Sequence, residues 1–194
     1  GLQGKEQKGK RGQKHSLESE AEFSDTIEVY DHLSKVKKIF FNVPSPLEMA
    51  QLTQAANLKY SKELLNPVSN ADKYNSTASM ALNLGVYGAD LSYCRIYDQM
   101  QESVNYLSAV KKMTEALQIP QEQGAMQLNR METSMGNRDS LLKIIADTYA
   151  NADLYLKEND RGATASLIIA GGWIEALYLA VNMVDMEGPN NTIM

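Results

Sequence analysis

Two carboxylates in this chain stand where burial penalises charge. Asp90 lies in ALNLGVYGADLSY (residues 81–93) and Glu175 in AGGWIEALYLA (170–180), both segments otherwise suited to the inside of a protein. A carboxyl taken out of water holds its proton more tightly, and two that face each other separate into one that ionises and one that resists. Such a pair in a pocket can pass protons to a substrate or hold a cation.

Helical spacing supplies the neighbours. Asn83, Asp90, Tyr93 and Tyr97 recur at seven, three and four residues, so a helix sets them on one face. In the second segment Thr164, Gly171, Glu175, Tyr178 and Asn182 form a matching stripe. If the stripes meet, tyrosine hydroxyls can donate to the carboxylates, and Arg161, Arg95 and Lys59 are available as counter-charges. The candidate pocket or buried polar cluster is therefore Asn83, Asp90, Tyr93, Tyr97, Glu175, Tyr178 and Asn182, with no residue assigned as catalytic. The plainer reading of the same residues is a satisfied polar core that imposes a single packing.

The helices that carry these stripes also carry glycine. Ala81, Gly85, Gly88 and Ser92 make a strip of small side chains, and Gly171 and Gly172 do the same in the later segment. Glycine inside a helix costs about 1 kcal/mol relative to alanine, a cost that close approach of a neighbouring helix offsets.

Other chemistry is thinly supplied. Cys94 is the only cysteine and His15 and His32 the only histidines, which rules out an intrachain disulfide or a multi-cysteine metal site. There is no HExxH, CxxC, Glu-x-x-His pair or glycine-rich phosphate loop, so no metal and no cofactor is expected. Of the net charge of −5, Lys5, Lys8, Lys10, Arg11 and Lys14 against Glu6 place +4 in the first fourteen residues, leaving −9 for the rest. An acidic body is a poor nucleic-acid partner.

Periodicity points to an all-α fold, a multi-helix bundle of mostly antiparallel helices with a long central helix pair. Residues 1–22 are polar and basic and read as a flexible tether, a spacer suited to a lipid anchor upstream of Gly1 or a removed signal; residues 23–194 read as one domain. A first helix is expected over 24–39. In SPLE, Ser45, Pro46 and Glu48 spell a capping box with proline at the first helical position, opening a helix to Ala56. Residues 57–76 are turn-rich, with Asn66-Pro67 as a stop. Ser76 or Asn75 caps a long helix to about residue 101, running on towards Ile119. After Gly124 a short helix is expected, then one capped by Asn137 over 139–157, then one from about Arg161 to Asp185. That last segment has the length of a membrane span, but Glu175 at its middle argues for a core helix and no transmembrane helix is expected. Trp173 reads as a core anchor and Cys94 as a small buried hydrophobe.

Three stretches, IFFNVPSPLEMAQL (39–52), ALNLGVYGADLSY (81–93) and AGGWIEALYLA (170–180), resemble a family of uncharacterised, secreted or lipid-anchored all-helical proteins from Bacteroidetes bacteria. The likeness covers residues 25 to 185. It implies a helical fold and export to the periplasm or an outer-membrane anchorage, and it brings no activity, cofactor or catalytic residue.

The expected function is a non-enzymatic, envelope-located helical binding or scaffold module whose partner is a small molecule or a protein. One alternative is a hydrolytic or acid–base enzyme using Asp90 and Glu175 with Tyr93 or Tyr178 as donors. Another is a purely structural subunit of an envelope assembly.

Overall fold

The structure, a computed structural model, describes residues 44–121 and 128–187. The expected tether over 1–22 and the helix over 24–39 lie outside the described residues. Six α-helices make up most of what is described: α1 (Pro46–Ala55), α2 (Thr77–Ile96), α3 (Met100–Ala116), α4 (Leu128–Thr133), α5 (Arg138–Glu158) and α6 (Gly162–Glu187). No strand occurs among the described residues. The protein is an all-α multi-helix bundle.

Helix starts follow the side chains that can cap them. Ser45 accepts from Glu48 N while Glu48 reaches back to Ser45 N at 2.6 Å, completing the capping box ahead of Pro46. Ser76 caps α2 through Ser79, and Asn137 caps α5 by accepting from Ser140 N at 3.0 Å. Each satisfies a backbone donor that the first turn leaves without an intrahelical partner.

Helix ends follow a rule without glycine. Asn57, Asp98, Gln118 and Asp160 all take positive φ, between 54° and 58°, one residue beyond the caps of α1, α2, α3 and α5. The next residue then donates five residues back: Leu58 N to Thr53 O, Gln99 N to Cys94 O, Ile119 N to Thr114 O and Arg161 N to Leu156 O. Four helices thus close with the same left-handed stop. At Asp98 this stop corrects the expected helix from Ser76 to residue 101 or beyond. The chain reverses over residues 97–99, and α2 and α3 become a tightly joined helical hairpin.

The core gathers around α2 and α6, which share the most extensive helix contact in the molecule. They approach closely because of their glycines. A methyl at Gly85 would overlap the Ile168 carbonyl oxygen and lie 2.6 Å from Gly172 N; one at Gly171 would overlap the Leu82 carbonyl oxygen and lie 2.8 Å from its carbon. Backbone is pressed against backbone at both points. Gly88 instead admits the end of the Tyr149 ring from α5, whose hydroxyl donates to Leu84 O at 2.9 Å. α5 buries one face, with Leu142, Ile145, Ala152 and Leu156 all in the core.

Candidate functional site

α2 is buried along nearly all its length, and two of its faces do different work. The glycine side takes α6. The adjoining side carries Tyr87, Asp90 and Tyr93, with Tyr97 at the cap, one per turn, and meets the connection between α1 and α2. That connection contains two 3₁₀ turns, Lys62–Leu64 and Val68–Lys73, whose irregular backbone leaves amides and carbonyls without regular partners.

The α2 side chains supply those partners in register, with the connection running antiparallel to the helix. Tyr97 donates to Leu58 O at 2.8 Å, and Tyr93 Oη accepts from Ser61 N at 2.8 Å. Asp90 Oδ2 accepts from Asn66 N at 3.3 Å and from Asn66 Nδ2 at 3.1 Å. Tyr87 donates to Pro67 O at 2.7 Å, and Tyr106 from α3 to Asn66 O at 2.6 Å. Ring contacts back these bonds: Tyr60 of the connection stacks on Tyr93 at 5.3 Å between centroids, and Tyr74 meets Tyr87 edge-on at 6.4 Å. Ion pairs Lys62–Glu102 and Lys112–Asp72 tie the outer edge of the connection to α3.

Asp90 and Glu175 do come together. Asp90 is fully buried and Glu175 is 7% exposed; the two carboxyls lie close enough to shift each other, and Asn66 Nδ2 donates to Asp90. Desolvation holds Asp90 well above the usual carboxylate range; the facing Glu175 adds to this and the two Asn66 donors oppose it. Desolvation also raises Glu175, with the nearby Asn66 and Asp90 side chains opposing it. Asp90 Oδ1 and Glu175 Oε1 are buried with no donor among the described residues. A carboxyl that keeps its proton supplies a donor that a pair of carboxylates lacks.

The rest of the expected cluster lies elsewhere. Asn83 turns back along its own helix, donating to Ser79 O at 2.9 Å. Tyr178 is 46% exposed on the outer side of α6, and Asn182 donates to Tyr178 O at 2.8 Å. Asn83 is engaged on its own helix, and Tyr178 and Asn182 fall towards the exposed side of α6, so none of the three is bonded to the carboxylates. Among the described residues no hydrogen bond runs from a tyrosine hydroxyl to either carboxylate; Tyr87, Tyr97 and Tyr106 donate to carbonyls of the connection, and Tyr93 accepts from its Ser61 amide. The proposed counter-charges are also absent, since no ion pair among the described residues includes Asp90 or Glu175, and Arg161 donates to Leu117 O at 2.7 Å.

Asn66, Tyr87 and Tyr106 join the cluster without having been foreseen. Tyr87 was open to discovery, three residues before Asp90 on the same face. Asn66 was not, because an Asn-Pro step reads only as a turn. Trp173, expected in the core, is half-buried, whereas Cys94 is fully buried with its thiol pushed up by desolvation.

A cavity of about 10 Å³ between α1, α2 and α6 is lined by Met49, Thr53, Ala89, Tyr93 and Leu179 among others, room for roughly one water. Its lining includes neither carboxylate. No group of three or more His, Cys, Asp or Glu side chains gathers among the described residues to hold a metal. No protein-family model, no curated protein and no solved structure matches this chain.

Proposed function

We propose that this chain is a non-enzymatic helical binding or scaffold module of the bacterial envelope, with its buried polar side chains committed to the fold. The observation that carries this is the clasp on the 57–76 connection, where Asp90, Tyr87, Tyr93, Tyr97 and Tyr106 all bond to backbone or to Asn66. An acid–base enzyme needs its proton-carrying groups within reach of a substrate. Here Tyr93 is engaged by the Ser61 amide, Tyr178 stands at the surface, and the carboxyl pair sits in the core. The envelope location rests on the polar, basic residues 1–22 and on three stretches that resemble those of an exported family; a protein or small molecule would be bound away from the clasp.

Asp90→Ala and Asp90→Asn decide between this reading and the enzyme. Removing the carboxyl strands both Asn66 donors and is expected to lower stability by about 2–3 kcal/mol, with protease cleavage appearing between residues 57 and 76. Asparagine keeps an acceptor and a donor in place and is expected to retain most of the stability. If Asp90→Ala melts at or above the parent temperature, the fold is carrying the carboxyl at a cost, the mark of a functional site. The enzyme reading then replaces this one.

A further inference from the structure

We infer that the outward face of α6 pairs with a second copy of this chain, the two α6 helices lying antiparallel. This surface lies on the opposite side of α6 from Glu175, so it stands or falls independently of the clasp.

The spacing of the exposed residues carries the inference. Ala170, Ile174, Leu177, Val181 and Val184 follow one another at four, three, four and three residues, the interval that keeps a seam of side chains facing another helix. Ile174, Leu177, Val181 and Val184 are 38–57% exposed, and Tyr178 flanks them at 46%. The residues between them on the helix, Glu175, Ala176 and Leu179, are buried on the other side. A soluble helix normally turns a polar face to water, and this one presents an apolar seam instead.

Charge selects the occupant and its direction. Between Arg161 and Asp185 the only charged residue is Glu175, which faces inward. The seam is therefore neutral on a chain of net charge −5. It offers nothing to steer a charged ligand, and a second copy meets it without repulsion. Asp185 and Glu187 lie together at the C-terminal end of α6. Parallel pairing would bring all four acidic groups to one end. Antiparallel pairing separates them to opposite ends of the seam. The symmetry is that of an ordinary two-fold dimer. Two such faces bury on the order of 1,000 Å², enough for specific association.

With the axis near Leu177, Ile174 of each copy faces Val181 of the other. Sedimentation of the full chain from low to high micromolar concentration should show its mass rising from one chain to two. Val181→Glu puts two unpaired charges into the seam and should weaken the dimer roughly 100-fold or more, with monomer melting unchanged. The double variant Ile174→Cys/Val181→Cys needs no new charge. It should cross-link to a dimer on oxidation, against a silent background because Cys94 is buried, whereas Val181→Cys alone should not. A chain that stays monomeric throughout, or a dimer that Val181→Glu leaves intact, overturns the proposal. Efficient cross-linking by Val181→Cys alone overturns the antiparallel order. A monomer that binds phosphatidylcholine vesicles, and loses that binding in Val181→Glu, overturns it in favour of a bilayer surface.

Discussion

α2 and α6 each carry close-approach glycines, a buried carboxylate, tyrosine and asparagine, yet α2 is enclosed on most sides while α6 is enclosed on one. On α2 the tyrosines at 87 and 93 are buried and their hydroxyls hold the 57–76 connection. On α6 Tyr178 is at the surface and only Glu175 turns inward. The difference lies in what covers each helix. α2 has neighbours on several sides, including an irregular segment with backbone groups to satisfy. α6 meets α2 closely on one side and leaves a seam on the other. Similar residues acquire a role only from the surface that arrives opposite them.

The contact between the two helices gives the largest expected effect. Gly85→Ala or Gly171→Ala would drive a methyl into backbone carbonyls of the partner helix, which cannot yield as a side chain end can. Either substitution is expected to cost about 3 kcal/mol or more, or to prevent folding, by urea titration. Gly88→Ala meets the end of the Tyr149 ring and should cost less, about 1–2 kcal/mol, chiefly through the lost bond to Leu84 O. If all three cost the same, the backbone-to-backbone contact is not what sets α2 against α6.

The carboxyl pair sharpens the comparison through pH. Both groups are raised above their ordinary values of 3.8 and 4.5, so the folded chain holds protons that the unfolded chain releases. Stability from the pair is complete below pH 4 and is lost as pH rises through the folded-state values. The other titratable groups facing Asp90 are Tyr106 from α3 and Tyr87, Tyr93 and Cys94 on α2. Burial pushes all four up, Tyr93 to about 12, so they stay neutral across this window. Thermal melts from pH 4 to 8 should therefore show the parent losing stability relative to Asp90→Asn/Glu175→Gln, which has no proton to release. Parallel curves for the two proteins would mean that the pair shares no proton.

Much of this architecture could be read in advance where a local rule acts. The Ser45 capping box, the Ser76 and Asn137 caps and the buried face of α5 follow from residue type and spacing alone. The stop at Asp98 was hidden, because the left-handed residue there is not glycine and the helical pattern resumes almost at once at Met100. The meeting of Asp90 with Glu175 was legible as a pair of stripes, since glycine marks the sides that approach. The destination of the tyrosines was not. Spacing says which side chains share a face and is silent about an irregular segment laid over it, and Asn66 entered the cluster from such a segment.

The smallest expected effects test that last point. Tyr87→Phe and Tyr106→Phe keep the rings and remove the hydroxyls that reach Pro67 O and Asn66 O. Each should cost about 1 kcal/mol, the worth of a hydrogen bond whose acceptor loses its partner. Tyr178→Phe removes a hydroxyl at the surface of α6 and should change stability by less than about 0.5 kcal/mol. The two α2-side variants should also increase protease cleavage within 57–76, because they loosen the connection and leave the helices in place. Tyr178→Phe should leave the cleavage rate unaltered. Equal losses from all three would mean that the hydroxyls act by general packing. A graded response, confined to the two that touch the connection, ties the tyrosines on α2 and α3 to the segment they hold.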